Sequence, residues 1–157
     1  MRPSTPLVVP PTDPRRTGGR ALGIDLGERR IGVAVSDSDG RVATPIEVVT
    51  RSGDRGRDHV AIAALVTEWE VDIVVVGIPY SLDGSIGPAA KKMLAESNRL
   101  GDALPVPVET YDERFTTVTA ERALMDQDMN ARDRRQVVDK VAAAVMLQAW
   151  LDGSPQS

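Results

Sequence analysis

The alternation of apolar and polar positions identifies three strands near the start of the chain. From Ala21 onwards, period-two runs rich in Val and Ile occupy residues 21–27, 30–37 and 41–49, and short polar turns join them. Such alternation over a few residues is typical of β-strands, and short turns between consecutive strands favour antiparallel pairing. The pattern therefore predicts an antiparallel meander of three strands.

Further along the chain, helical spacing alternates with short apolar runs. The uninterrupted run VDIVVVGIP at 71–79 is typical of a strand covered on both faces, and a shorter strand is predicted at 106–111. Helices are predicted at 57–70, 88–101, about 117–126 and about 133–151. The first rests on the helical spacing of Val60, Ala63, Ala64 and Trp69. The second has Pro88 in its first turn and Gly101 as its stop, and the last begins with Asp133 and Gln136, which are spaced as a capping box.

This order of elements predicts an α/β fold. Three strands are followed by a helix, a strand, a helix, a strand and two helices, which favours a mixed five-stranded sheet flanked by helices. The sheet is expected to be antiparallel at one side and parallel at the other. A chain of 157 residues fits one domain, predicted over 21–152. The proline-rich segment 1–20 and the last residues, 153–157, are predicted as flexible ends.

Composition narrows the chemistry that this domain can perform. The chain has no cysteine and a single histidine, His59, so thiolate catalysis, disulfides and Cys or His zinc sites are excluded. Aromatic residues make up only 3%, which leaves few platforms for base stacking. The net charge of -4 weakens the prediction of a nucleic-acid partner but does not exclude it, because basic residues clustered on one face still bind polyanions. The segment TRSGDRGRDH at 50–59 is predicted as a mobile, basic surface loop.

No apolar run approaches the roughly 20 residues that cross a bilayer. The sequence therefore predicts no membrane association and a cytoplasmic location.

Three acidic side chains are candidates for a functional site. Asp25 interrupts the first strand between glycines, Glu113 follows the last strand, and Asp139 borders the apolar stripe of the last helix. A buried carboxylate is costly unless a cation compensates it, and open α/β sheets place ligands at the carboxyl ends of strands. Structural roles stay open: a turn at Asp25, a helix cap at the neighbouring Asp112, an ion pair at Asp139. Other acids are predicted as solvated charges on helix surfaces, among them Glu68, Glu96 and Glu121.

Carboxylates that converge on one point repel each other and are stable together mainly when they share divalent cations. Oxygen ligands without His or Cys favour Mg²⁺ or Mn²⁺. Two such ions about 4 Å apart activate water and stabilise the leaving oxygen in phosphodiester hydrolysis, without a protein nucleophile. The three acids therefore predict a metal-dependent nuclease.

Candidate substrate contacts flank these acids. Ser81, Gly84 and Ser85 belong to the loop YSLDGSIG, which with the following helix N-terminus is suited to offering backbone amides to a phosphate. Arg30 and Arg114 are candidates for neutralising a nucleic-acid backbone. A plain connection between strand and helix stays open as the alternative function of the loop.

Four stretches together resemble one known family. GIDLGERRIGVAVSD, VVVGIPYSLDGS, YDERFTT and VVDKVAAAVMLQAWL, in that order, are similar to the YqgF/RuvX family, described as pre-16S rRNA nucleases or Holliday junction resolvase-like proteins. The resemblance covers about 21–152. It implies a ribonuclease H-like fold, a cytoplasmic location and a nuclease that matures the 5′ end of 16S ribosomal RNA. Carried onto matching positions, it puts the catalytic acids at Asp25, Glu113 and Asp139.

The chain departs from other ribonuclease H-like nucleases at its fourth strand, which ends in VGIP without an acid. One metal ion or two are therefore both open, and Asp112, a substrate phosphate or water are candidates to complete the coordination. Three alternative functions also stay open. They are a Holliday junction resolvase in DNA recombination and repair, a non-catalytic factor that binds RNA or a ribosome precursor, and an ATPase related to actin-like proteins and sugar kinases, which GIDLG also resembles. A monomer and a homodimer are both compatible with the sequence, although symmetric cleavage of two strands favours a dimer.

Overall fold

A computed structural model describes residues 19–116 and 131–153, except the side chains of Phe115 and of 131–140. The described strands are β1 (Ala21–Leu26), β2 (Arg30–Ser36), β3 (Ala43–Thr50), β4 (Ile73–Ile78) and β5 (Val108–Asp112). The described helices are α1 (Arg55–Glu68), α2 (Pro88–Ala103) and α3 (Ala131–Asp152), with a short 3-10 helix, η1 (Glu113–Phe115), directly after β5.

The strands form one mixed sheet in the order β3-β2-β1-β4-β5. β1, β2 and β3 pair antiparallel, which confirms the predicted meander, while β1, β4 and β5 run parallel. The register places Ile24 of β1 beside Val76 of β4, and Gly77 of β4 beside Tyr111 of β5. The carboxyl ends of β1, β4 and β5 therefore meet at one edge, as the predicted α/β fold requires.

Two apolar cores cover the two faces of the sheet. Leu22, Ile24 and Leu26 of β1 pack with the residues of α1 and α2, whereas Ala21 of β1 packs with α3. All six residues of β4 are buried, which confirms the strand predicted to be covered on both faces. Since side chains alternate along a strand, odd-numbered positions of β1 face α3 and even-numbered positions face the other two helices.

The boundaries of α1 and α2 differ from the prediction. α1 begins at Arg55, because the Asp54 side chain accepts a hydrogen bond from the Arg57 amide and caps the helix, so half of the predicted mobile loop is helical. Val60 is 69% exposed and does not belong to the buried face of α1. The predicted stop at Gly101 is also wrong: α2 continues to Ala103. The buried face of α1 consists of Asp58, His59, Ile62, Leu65 and Val66.

The helix α3 begins before the predicted position. It already includes Ala131, so Asp133 lies inside the helix and the predicted capping box is wrong. The strongly buried residues of α3 include Ala143, Met146, Leu147 and Trp150, while Val141, Val145 and Ala149 are half-buried. The spacing of the apolar residues predicts a stripe of Val138, Val141, Ala142, Val145 and Ala149, and of its described side chains only Ala142 is strongly buried, so the buried stripe is rotated relative to the prediction. α3 packs closely on Gly23, where an added Cβ would lie 2.8 Å from the Cβ of Leu147.

The predicted helix at 117–126 and the predicted flexible ends at 1–18 and 154–157 lie outside the described residues. Within the described part of the chain, no helix has the length and apolar character required to span a bilayer.

Candidate acidic site at the carboxyl edge of the sheet

Asp25 lies on the face of the sheet that α3 covers. Its neighbours in the chain, Ile24 and Leu26, belong to the core on the opposite face, and Asp25 alternates with them along β1. Only 8% of Asp25 is exposed. A carboxylate at such a position is held by a fixed strand and partly shielded from water, which makes its charge costly without compensation.

Glu113 reaches back from the end of β5 over the neighbouring strand. A Cβ added to Gly77 of β4 would lie 2.7 Å from Oε1 and 3.1 Å from Cγ of Glu113. The Glu113 side chain therefore occupies the space that any other residue at position 77 would fill. Met146 of α3 borders the same space, with its Cγ 3.1 Å from that Cβ position, so Glu113 lies on the face covered by α3.

This conformation brings Glu113 towards Asp25. β1 and β5 are separated by β4, so their backbones are about 10 Å apart. The carboxylate of Glu113 lies over Gly77 of β4. Gly77 is next to Asp25 across the β1–β4 pair, because it follows Val76, the partner of Ile24. Asp25 and Gly77 therefore occupy neighbouring positions on the face covered by α3, and the Glu113 side chain lies over Gly77.

The third predicted acid, Asp139, belongs to α3, and its side chain lies outside the described residues. Its backbone position is one helical turn before Ala143, whose carbonyl oxygen lies 3.1 Å from the Cβ position of Gly23.

Among the described side chains, no group of three or more His, Asp or Glu residues is placed to hold a metal ion. That set contains Asp25 and Glu113 but not Asp139. Among the described side chains, the proposed ligands Asp25 and Glu113 offer carboxylate oxygens, which suit Mg²⁺ or Mn²⁺. The role of Asp139 as the third ligand stays a prediction.

Asp112 is engaged by Arg114. Both Asp112 oxygens accept hydrogen bonds from the Arg114 guanidinium, and Oδ1 also accepts one from the Arg114 amide at 2.9 Å. The side-chain hydrogen bonds from Arg114 lower the pKa of the Asp112 carboxyl below its usual value. Asp112 therefore caps η1, the structural alternative named above, and both of its oxygens bond to Arg114. Its role in completing a metal site stays a prediction.

Arg114 also holds the loop that follows β4. Its Nη1 donates to the Leu82 carbonyl at 3.5 Å, and its guanidinium carbon lies 5.9 Å from the centre of the Tyr80 ring. Such a distance is compatible with a cation–π contact. Gly84 adopts a left-handed φ of +87° beside the same guanidinium. Arg114 thus joins the loop to the segment that carries Glu113. Its contact with a substrate phosphate stays a prediction.

The loop uses its own amides for internal hydrogen bonds. The Ser81 amide donates to the Ser85 carbonyl, the Gly84 amide to the Ser81 carbonyl, and the amide and hydroxyl of Ser85 to Asp83. The amides of Ser81, Gly84 and Ser85 therefore already have partners within the loop, and the contact of this loop with a phosphate stays a prediction. Hydrogen bonds from Ser85 lower the pKa of Asp83, so the loop also carries a negative charge.

A buried polar network lies on the other face of the sheet. Arg51 donates to both oxygens of Glu96 at 2.7 and 2.9 Å, and Nε2 of His59 lies 3.0 Å from Glu96 Oε2. Glu96 is only 5% exposed, so its assignment as a solvated surface charge is wrong. Burial acts to raise the pKa of Glu96, but the hydrogen bonds from Arg51 and His59 outweigh it and lower the pKa.

This network supports the turn that follows Asp25. Nε of Arg51 donates to the carbonyl of Gly27 at 3.0 Å, two residues after Asp25. Asp58 adds a second acid to the network through Ser52, whose amide and hydroxyl both donate to it. The sequence pattern did not identify the residues of this network. The available signal was that Asp58 and His59 share a face of α1 with the apolar Ile62.

The sheet order and the acids at its carboxyl edge define the class of protein. Two solved structures share the fold: Thermus thermophilus RuvC in complex with a Holliday junction substrate and T. thermophilus RuvC itself. The TM-scores are 0.55 and 0.51 at 19% and 18% identity, and the likeness covers 85% and 84% of this chain and 93% of each of those chains. The chain therefore has a ribonuclease H-like fold, as predicted.

The family is shown by sequence. The model of the RuvX family, described as Holliday junction resolvase, matches residues 19–153, and the chain belongs to this family. A relative from Rhodococcus opacus, named "Putative pre-16S rRNA nuclease", is 48% identical over 92% of this chain and 83% of its own length. Relatives of the same name from Anaeromyxobacter and Mycobacterium leprae are 48% and 46% identical over 85% and 96% of this chain, and 97% and 81% of their own lengths.

Proposed function

We propose that this protein is a metal-dependent endonuclease that processes the 5′ end of pre-16S rRNA in the cytoplasm. The names of the RuvX relatives supply the substrate. The structural observation that supports the chemistry is the Glu113 carboxylate lying over Gly77, on the strand next to Asp25. Carboxylates brought to one face of a sheet edge are the oxygen donors that a divalent cation binds.

Asp25, Glu113 and Asp139 would hold Mg²⁺ or Mn²⁺ at this edge. When bound, the ion supplies Lewis-acid activation of water and stabilises the leaving oxygen. These side chains come from β1, the end of β5 and α3, elements that the two apolar cores fix relative to each other. The protein thus contributes a preorganised set of oxygen donors rather than a nucleophile.

The remaining residues near the acids bind and orient the substrate. Arg30 begins β2, directly across the β1–β2 turn from the end of β1, and we assign it to a phosphate of the substrate. The Ser81 hydroxyl makes no hydrogen bond with the described residues and is a donor that the loop still offers. Arg114 acts by holding the loop against the segment that carries Glu113.

The decisive experiment compares wild type, Asp25→Asn and a matched control, Asp39→Asn, on a precursor rRNA fragment with Mn²⁺ or Mg²⁺. Asp39 is an exposed acid in the β2–β3 turn, far from the carboxyl edge. We expect wild type and Asp39→Asn to cleave equally and Asp25→Asn to lose at least about 1,000-fold in rate, since it removes a metal ligand. Equal cleavage by Asp25→Asn, or no cleavage by wild type, would refute the proposal.

A second candidate function is resolution of Holliday junctions, favoured by the description of the family model. A four-way DNA junction in the same assay separates the two. Cleavage of the junction at least as fast as the precursor rRNA would replace the RNA substrate with branched DNA. Sedimentation of the enzyme with the junction would then show whether two copies bind, as symmetric cleavage of two strands requires.

A further inference from the structure

The loop after β4 exposes two large apolar side chains. Leu82 is 95% exposed and Ile86 57% exposed. Within the described part of the chain, two other large apolar residues are strongly exposed, Val42 and Val60, and they lie in separate elements. A single exposed apolar residue needs no explanation, but Leu82 leaves nearly its whole side chain in water at the tip of a loop beside the acidic site.

The loop presents Leu82 in one fixed conformation. The Ser81 amide donates to the Ser85 carbonyl at 3.1 Å, and the Gly84 amide donates to the Ser81 carbonyl at 2.8 Å. Asp83 accepts from the amide and hydroxyl of Ser85 at 2.9 and 2.6 Å. These bonds close the chain around Leu82, so little conformational entropy is lost when its side chain meets a partner.

The loop is tied to the acids through Arg114. The Leu82 carbonyl accepts from Arg114 Nη1, and Arg114 directly follows Glu113 in the chain. The same guanidinium is fixed by Asp112. The Leu82 backbone therefore lies beside the segment that carries Glu113.

The chemistry around Leu82 fits a base step of nucleic acid. Apolar side chains open a base step by wedging between bases, and a step at a helix end or branch is less costly to open than one inside a helix. The chain has few aromatic residues, so an aliphatic residue is the available group for this contact. Lys91 and Lys92 in the second turn of α2 are exposed and suited to the flanking phosphates.

We propose that Leu82 is a wedge that inserts at the base step where a helix ends or branches, and that it selects structured nucleic acid over a plain single strand. The inference rests on the proposed function for its substrate class. It adds the residue by which the acidic edge recognises the shape of its substrate.

The test measures binding without cleavage. All variants carry Asp25→Asn, and the probe is an RNA hairpin with a single-stranded 5′ leader and 2-aminopurine at the junction; the leader alone is the reference ligand. Leu82→Ala removes the wedge, Leu82→Phe keeps an apolar wedge, and Val60→Ala is the matched control on α1. Leu82 is almost fully exposed, so melting temperatures of all variants should agree.

We expect the Leu82-containing protein to raise 2-aminopurine fluorescence on the hairpin, since insertion unstacks the labelled base. Leu82→Ala should abolish this rise and weaken hairpin binding about tenfold, with less than about a twofold change for the leader. Leu82→Phe should restore both signals, and Val60→Ala should change neither. No fluorescence rise with Leu82 present, or equal weakening on both ligands by Leu82→Ala, would overturn the inference. Because no cleavage is needed, failure of the proposed nuclease activity is seen separately, in the rRNA assay.

Discussion

Gly77 is the residue on which the position of Glu113 depends. Every other amino acid would place a Cβ 2.7 Å from Glu113 Oε1, a distance at which one of the two groups must move. The tip of a glutamate side chain rotates more easily than a buried strand shifts. A side chain at position 77 is therefore expected to displace the carboxylate and leave the sheet intact.

We predict that Gly77→Ala lowers cleavage about 100-fold, because a displacement of about 1 Å at a reacting group costs that much. The free energy of unfolding should fall by about 1 kcal/mol from the close contact with Met146. Rate measurements with Mn²⁺ and urea denaturation check the two effects.

The control is Gly101→Ala in α2, where the added Cβ would meet nothing closer than 3.8 Å. It should leave cleavage unchanged and raise the free energy of unfolding by roughly 0.5 to 1 kcal/mol, since glycine is unfavourable inside a helix. Full activity of Gly77→Ala would show that the position of Glu113 over Gly77 is not needed.

At the scale of elements, Arg114 joins β5, η1 and the loop after β4. Its planar guanidinium binds both oxygens of Asp112 and reaches the Leu82 carbonyl at the same time. A lysine ammonium keeps the charge but lacks the fork. We predict that Arg114→Lys frees the loop, so that amide hydrogen exchange of residues 80–86 becomes faster and cleavage falls about tenfold.

Hydrogen exchange with mass spectrometry measures the first effect directly. Arg99→Lys, an exposed position on α2, is the matched control and should change neither exchange nor cleavage. Unchanged exchange at 80–86 in Arg114→Lys would contradict the anchoring role.

The Arg51–Glu96 pair connects the end of β3 with α2, and its pH dependence follows from the lowered pKa of Glu96. A carboxyl whose pKa is lower in the folded state stabilises the fold above its ordinary value of 4.5. That stability is lost as the pH falls through the folded-state pKa. We predict that the free energy of unfolding of Glu96→Gln at pH 7 is about 3 kcal/mol lower than that of wild type. This difference should shrink below pH 4.5.

Urea denaturation at a series of pH values tests this prediction. Glu68→Gln, on the exposed side of α1, should stay within about 0.5 kcal/mol of wild type throughout. A constant difference between wild type and Glu96→Gln from pH 7 to acid would exclude titration of Glu96 as its cause.

At the scale of the whole molecule, the net charge of -4 limits how the protein binds nucleic acid. Among the described residues, we take Arg30, Lys91 and Lys92 as the cations that contact phosphates near the acidic edge. About three phosphate contacts predict a slope of roughly −3 in a plot of log affinity against log salt concentration. Affinity should therefore fall about fortyfold between 50 and 200 mM salt.

Fluorescence anisotropy with the Asp25→Asn protein and a labelled duplex measures this slope. Lys91→Gln should reduce its magnitude by about one. The control is Arg41→Gln, at an exposed position in the β2–β3 turn at the opposite end of the sheet, and it should leave the slope unchanged. A slope near zero would mean that phosphate contacts do not drive binding.

The sequence by itself determined the strands of the protein and the acidic residues on which its proposed chemistry depends. Alternation of Val and Ile with polar residues predicted the strands, and the structure confirms the mixed five-stranded sheet. These are local signals, because the period of apolar residues follows directly from backbone geometry. Asp25 and Glu113 were selected for the same reason, since an acid in an apolar strand or at its carboxyl end is visible in a short segment.

Only the tertiary structure decided which groups meet. Glu96 is buried because Arg51, 45 residues earlier, reaches it across the β3 end, and no local pattern reports a pairing of that separation. Gly77 matters because Glu113 crosses over it from the neighbouring strand. Asp112 pairs with Arg114 although the sequence left it equally free to bind a metal. Periodicity fixes the direction in which a side chain leaves its own backbone, whereas its partner is set by how the sheet and helices pack.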